Sequence, residues 1–302
     1  MTPAAIILLV ISAAVHAGWN LLGKRQQPSP AFMLAANTLG FLYLTPALLL
    51  FWRVQAHFPP LVWLLLAATG LCQAVYYAGL AAAYRLGDLS IVYPLLRSMP
   101  VVLVAVLTSV LGLGKPLNLQ AGIGILLVVT GGFILPMRRF SDFRLQNYLN
   151  RSIAITLVAA LGTVGYSIID SEALRLARQA VGQTMPAYAV TLVYAFWEGA
   201  ASSLWLAILA WAQPGKRQEM SRLQNGGARG AALVGIGIYA AYVLVLAAMG
   251  YVNNVSYVVA FRQLSIPLGA LLGVVALGEP HPATKLTGIA ILFAGLVLVG
   301  TA

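Results

Sequence analysis

Charge is scarce in this sequence: 18 residues are Lys or Arg and 7 are Asp or Glu, so 8% of the 302 positions are charged and 61% are hydrophobic. A typical soluble domain is charged at about a quarter of its positions, and a soluble fold could not cover this much apolar surface. Cysteine is nearly absent. The single Cys72 lies inside an apolar stretch, which excludes an intrachain disulfide and a Cys-rich metal site. No His-Glu-x-x-His pair, Gly-x-Ser-x-Gly elbow or Walker-type Gly-rich loop occurs, so an intramembrane enzyme has no motif to stand on and ATP cannot be the direct energy source. The chain is therefore read as no enzyme, with no cofactor and no metal. A channel or receptor-like scaffold would need a pore-lining ring or a substantial soluble domain, and the longest polar segments are only 137–151 and 212–227.

What the sequence has in abundance is apolar runs of bilayer length. A hydrocarbon core needs about 20 such residues per helix. Spans are predicted at 3–22, 31–52, 61–84, 90–112 and 118–136, then at 152–171, 186–211, 228–249, 255–276 and 283–301. The loops between them are short and carry breakers such as Phe58-Pro59-Pro60 and Gly278-Glu279-Pro280. Val15-His16-Ala17 ends the first run much as a signal peptidase site would. No basic segment precedes it, so the first run is expected to stay as a helix. The net charge of +11 sits mainly in interhelical segments such as Arg138-Arg139 and Lys216-Arg217. Anionic lipid headgroups, not nucleic acid, are the expected partner of those loops.

The chain also repeats itself. At an offset of about 166, Tyr76 meets Tyr242, Leu80-Ala81-Ala82 meets Leu246-Ala247-Ala248, and Ser90 meets Ser256. At about 164, Leu113-Gly114-Lys115-Pro116 meets Leu277-Gly278-Glu279-Pro280, Gly124 meets Gly288 and Gly131 meets Gly295. At about 147, Gly18-Trp19-Asn20 meets Gly165-Tyr166-Ser167. The matches keep their order while the offset drifts, as two diverged copies with different loops would give. Residues 1–137 and 152–302 are read as two five-helix repeats joined by a basic linker at 138–151. Because five is odd, the second copy must enter the bilayer upside down, the plan of many secondary transporters. The expected fold is thus an all-α polytopic membrane protein of ten transmembrane helices in two inverted repeats.

The two Leu-Gly-(Lys/Glu)-Pro turns before a Gly-containing final helix, the Pro-rich fourth helices and the opening His16-Ala17-Gly18-Trp19-Asn20 with Lys24 give the chain a likeness. Over essentially its whole length it resembles the EamA branch of the drug/metabolite transporter superfamily. The resemblance implies a small-solute transporter, a metabolite exporter or exchanger, in a bacterial cytoplasmic (inner) membrane; a homodimer is left open. These motifs mark a fold more than a cargo, since the superfamily handles amino acids, sugars, phosphorylated metabolites, amines and drugs. The chain departs from the family in having Lys115 where the second repeat has the acidic Glu279. Orientation is a second departure. The loops after helices 1, 3, 5, 7 and 9 hold Lys24, Arg25, Arg85, Arg138, Arg139, Arg144, Arg151, Lys216, Arg217, Arg222, Arg229 and Lys285, against Arg53, Lys115, Arg175 and Arg178 on the other side. The charge rule puts both termini outside, whereas family members typically have both inside.

Ionisable groups inside hydrocarbon cost at least about 2.5–3.5 kcal/mol on insertion scales, so each is expected to face the bundle interior or a wet cavity. In helix 1, Ser12, His16, Asn20 and Lys24 recur at i+4 with Trp19 beside them, a stripe that lines a cavity or bonds a neighbouring helix. Helix 6 repeats it with Thr163, Ser167, Ser171 and Tyr166. Asp170 stands close to the expected end of that helix, where a snorkelled carboxylate competes with a functional one. Gln73 and Tyr76 on helix 3, and Tyr239 and Tyr242 on helix 8, form two tyrosine-bearing walls. Helix 4 carries Tyr93, Pro94, Arg97 and Pro100, and helix 9 carries Arg262, Gln263 and Pro267. Each proline frees a carbonyl four residues earlier, so these are the expected discontinuous, site-forming helices.

The expected substrate-binding set is His16, Trp19, Asn20, Tyr76, Tyr93, Arg97, Tyr166, Glu198, Tyr239, Tyr242, Arg262 and Gln263, with Glu198 and Asp170 as candidates for a coupling proton. Arg97 is the expected anchor of an anionic or zwitterionic solute such as an amino acid or organic acid, with Arg262 the weaker candidate. Two other readings stand beside it. Arg97 could pair permanently with Glu198, and the central acids could serve an exporter of amines or cationic drugs. The glycines Gly124/Gly131 and Gly288/Gly295, each seven residues apart, are expected to serve packing.

Overall fold

A computed structural model of the protein describes all residues except 25–28, 87–88, 136, 138, 140–150, 212–226 and 278–281, which takes the linker, the second Leu-Gly-Glu-Pro turn and most of the basic loops outside the described residues. The helices are α1 (Pro3–Lys24), α2 (Pro30–Leu42), α3 (Thr45–Leu50), α4 (Pro60–Leu86), α5 (Leu89–Val110), α6 (Leu119–Ile134), α7 (Arg151–Val181), α8 (Ala187–Trp211), α9 (Ala228–Ala248), α10 (Val255–Phe261), α11 (Ser265–Leu277) and α12 (Ala283–Thr301). No strand occurs among the described residues. Eight segments are long and apolar enough to cross a bilayer, and two shorter apolar helices, Leu96–Val110 and Leu119–Ile134, accompany them. The outer surface is itself apolar: Leu50 is 72% exposed, Val110 76% and Leu119 81%, as a lipid-facing surface requires. The chain is an all-α, multi-pass integral membrane protein.

Helix starts follow local chemistry. Ser29 Oγ accepts from the Phe32 amide at 3.1 Å with Pro30 at the first helical position of α2. Asn118 and Asn254 cap α6 and α10 in the same way. Three boundaries differ from the sequence expectation. The run 31–52 is not one helix, because Pro46 cannot donate to Leu42; the chain re-starts as α3, and the Thr45 hydroxyl donates to the freed Leu42 carbonyl at 2.6 Å. The run predicted at 152–171 continues to Val181, where Gly182 at φ +60° ends α7 and its amide donates to the Arg178 carbonyl. The added turns are held at the surface by a pair between Arg175 and Glu172.

The third difference lies at the proline-bearing helices. Pro267 removes a donor opposite Gln263, and the ninth run breaks there into α10, a 3₁₀ turn at Arg262–Leu264, and α11. By contrast α5 stays a continuous α-helix through Pro94 and Pro100, contrary to the expected discontinuity.

Packing joins the halves throughout. α4 runs along α7, and α9 along α1; α8 lies against α4, and α2 against α9; α5 meets α7, and α1 meets α11. α2 crosses α8, and α6 lies along α12. At the α6/α12 contact the glycine ridges face each other. A Cβ on Gly131 would come within 2.7 Å of the Gly288 carbonyl oxygen, and one on Gly295 within 2.7 Å of the Gly124 carbonyl oxygen. Removing the side chain is what lets the backbones meet. The Leu113–Pro116 turn is structural: Gly114 sits at φ +81°, the Lys115 amide donates to the Asn253 carbonyl at 2.9 Å, and Asn254 Nδ2 donates to the Lys115 carbonyl at 3.0 Å.

Candidate functional site

Where α4, α5, α7 and α10 converge, the described residues leave a small cavity of about 20 Å³, room for about one water. Its walls are Tyr76 from α4; Leu96, Arg97 and Pro100 from α5; Thr163 and Tyr166 from α7; Val259 from α10; and Arg262 and Gln263 from the 3₁₀ turn. The break in the ninth run sets its 3₁₀ turn at the cavity, and the adjacent residues Arg262 and Gln263 both line the wall.

Arg97 spans the floor. Its Nη2 donates to Ser265 Oγ at 2.6 Å, Nη1 lies 3.4 Å from His16 Nε2, and its buried Nε has no hydrogen-bond partner. Arg262 is held differently. Its guanidinium stacks over the rings of Tyr166 and Tyr242, at 5.7 and 5.5 Å from the centroids, and Nη2 donates to the Tyr166 hydroxyl at 3.3 Å. Among the described residues neither arginine forms an ion pair within 4.0 Å, and the permanent Arg97–Glu198 pair is not formed. Among the described residues no acidic side chain lines the cavity.

Behind the tyrosine wall lies a buried carboxylate hub. Asp170, fully buried within α7 and not near its end, accepts from Thr69 Oγ1 at 2.7 Å and from the Tyr194 hydroxyl at 2.7 Å on Oδ1, and from the Tyr242 hydroxyl on Oδ2. Tyr242 thus carries a cation on its face and a carboxylate at its hydroxyl. Tyr76, Tyr166 and Tyr242 follow one another edge to face, with centroids 6.0 and 5.9 Å apart.

The other sequence-nominated residues fall outside this cavity. Trp19 is buried against Gly237 and His16, with its indole N–H unpaired. Asn20 is exposed near the end of α1 and does not join the site. Tyr239 donates to Asn37 Oδ1 at 3.0 Å between α9 and α2. Glu198 is fully buried in α8, away from the cavity wall. Tyr93 belongs to α5, but its side chain lies outside the described residues. Thr69, Asn37 and Ser265 were not singled out in the sequence. Thr69 could have been found, since Thr69, Gln73 and Tyr76 form one i, i+4, i+7 stripe on α4.

The model of the EamA-like transporter family matches residues 3–137. Those residues, somewhat less than half of the chain, are thus similar to the EamA-like transporter family. A Sinorhizobium protein named "Uncharacterized transporter in cobO 3'region" is 33% identical over 84 residues, which cover 28% of this chain and 58% of that protein. The matched stretch therefore spans little more than half of that relative's length. A protein known from its crystal structure shares the fold, with a TM-score of 0.68 at 18% identity over 100% of this chain and 99% of its own. The EamA match covers α1 to α6, and so includes Tyr76 and Arg97 but not Tyr166 or Arg262.

Proposed function

We propose that this chain is an EamA-family secondary transporter that moves a small anionic or zwitterionic solute, an amino acid or organic acid, between two inverted five-helix repeats. The observation that carries this reading is the pair of guanidiniums, Arg97 and Arg262, on the walls of one cavity with no described carboxylate paired to either. A buried charge persists only with a partner or ligand, and two like charges around one space suit a carboxylate or phosphate, which guanidinium binds through parallel hydrogen bonds. The stacked tyrosines would hold an apolar or ring portion of the solute.

The ten-span, inverted arrangement is supported by how the helices pair. α5 and α6 count as spans beside the eight longer segments, and the main helix pairings between the halves have counterparts with the repeats exchanged: α4/α7 with α9/α1, α4/α8 with α9/α2, α5/α7 with α11/α1. The arginines follow the same exchange, Arg97 reaching His16 on α1 and Arg262 reaching Tyr166 on α7. A cavity that admits about one water is a closed state of such a carrier, and the solute would enter when one repeat rocks against the other. The amine-exporter reading loses support because the described residues of the cavity wall include two cations and no acid.

The test is a thermal-shift screen of anions, zwitterions and cations on purified protein. A ligand at a hundred times its Kd adds about 2.7 kcal/mol to stability. Stabilisation by anions or zwitterions that disappears in both Arg97→Gln and Arg262→Gln is the expected result. Stabilisation by cations alone, or by anions equally in both variants, would refute the assignment.

A further inference from the structure

One buried charge-bearing group lies outside the cavity and outside every hydrogen-bond network. Glu198 is midway along α8 and fully buried, and neither carboxyl oxygen has a hydrogen-bond partner among the described residues. One turn on, the Ser202 hydroxyl is also buried and unpartnered. Three of the neighbouring donors are spent elsewhere. Tyr194 donates to Asp170 and Tyr239 to Asn37, while Asn37 Nδ2 donates to the Gly199 carbonyl and to Ser203 Oγ.

The groups around Glu198 on every packed element are of one kind. α4 contributes Tyr77, α9 contributes Tyr239 and Tyr242, α7 contributes Asp170, and α8 itself contributes Tyr194. α2 faces α8 with the neutral Asn37 and Thr38, and α3 carries no titratable residue. A 3₁₀ turn at Trp52–His57, also against α8, carries Arg53 and His57, both exposed. No cation faces Glu198 among these, and a second acid does. A bare carboxylate in that setting has no counter-charge facing it and accepts no hydrogen bond from the described residues, a cost that a bound proton or cation removes.

Resting on the transport reading above, we propose that Glu198 is the proton-binding site of the carrier. In this closed conformation a proton is bonded to one carboxyl oxygen, giving the neutral acid, and loss of that proton to water regenerates the carboxylate with no change in electrons. Asp170 is not the proton site, because its oxygens already accept three hydroxyl bonds that protonation would disturb, whereas Glu198 has none to break. The position suits coupling. Glu198 lies in α8 where Gly199 brings the helix against Tyr239 of α9 and Phe41 of α2, so any rocking of α8 against those helices changes its access to water.

The experiment is infrared spectroscopy of the full chain in phosphatidylcholine/phosphatidylglycerol vesicles, without added solute. A carboxylic-acid C=O band is expected at neutral pH. It should shift on transfer to D₂O, since a working proton site opens to water, and it should vanish in Glu198→Gln while remaining in Asp170→Asn. Glu198→Asp, which keeps the acid, should keep a displaced band and covers the case where Glu198→Gln does not fold. Absence of the band in the unaltered protein, its survival in folded Glu198→Gln, or a band that never exchanges its proton would each overturn the proposal. Failure of the transport reading is a separate outcome, seen as absent solute counterflow with the infrared result intact.

Discussion

Replacing Asp170 by Asn tests the carboxylate hub atom by atom. Thr69 and Tyr194 both donate to Oδ1, whereas Tyr242 donates to Oδ2. An asparagine can keep its carbonyl oxygen on the two-donor side and so preserve both of those bonds. Its amide nitrogen then faces the Tyr242 hydroxyl, which can accept a neutral bond from it but loses the carboxylate acceptor for its own proton. Leaving one buried polar group unsatisfied costs about 1–3 kcal/mol. Tyr242→Phe alone removes a bond to a charged group, about 1.5–3 kcal/mol. In the Asp170→Asn background the same change removes a hydroxyl whose proton has no acceptor and at most one neutral bond, and should cost about 1 kcal/mol or less. The two substitutions are therefore expected to be strongly non-additive in a double-mutant cycle, read by thermal unfolding in detergent with size-exclusion detection. Additive losses, or an Asp170→Asn protein as stable as the original, would refute the hydrogen-bond assignment.

Two further outcomes are expected. Gly131→Leu should prevent the close contact of α6 with α12, because even a Cβ there meets backbone of Leu292 at 2.6 Å, while Gly122→Ala on the same helix meets nothing within 4 Å and should be neutral or slightly stabilising; expression as a monodisperse peak distinguishes them. Arg178→Ala should destabilise by about 1–3 kcal/mol, since its guanidinium donates to the Leu246 carbonyl in the last turn of α9 at 2.9 Å and no other described side chain donates there; an unchanged unfolding temperature would count against that role.

Much of this architecture was legible as pattern. Apolar runs near twenty residues marked where helices lie, and glycines seven apart on 118–136 and 283–301 marked the faces that meet, because close backbone approach requires a missing side chain at that period. Pro267 marked the break that carries Arg262 and Gln263 into the cavity. Other features depend on tertiary context. Pro94 and Pro100 leave α5 continuous while Pro46 ends α2, and the sequence around each proline does not distinguish them. The extension of α7 to Val181 reads as polar loop because its outer turns are charged, and that misplaced Asp170 near a helix end. Its donor Thr69 stands 101 residues away, a pairing that only the packing of α4 on α7 creates.

The central claim, that this chain carries an anionic or zwitterionic solute between Arg97 and Arg262, is tested most directly by counterflow in proteoliposomes. Vesicles preloaded with unlabelled succinate, L-alanine or putrescine would be diluted into the matching radiolabelled solute. Saturable overshoot is predicted for the dianion or the zwitterion and not for the diamine, reduced at least tenfold in folded Arg97→Gln and not restored by Arg97→Lys, whose ammonium cannot copy the two parallel hydrogen bonds. Overshoot with putrescine alone, or equal anion exchange in both Arg97 variants, would contradict the account.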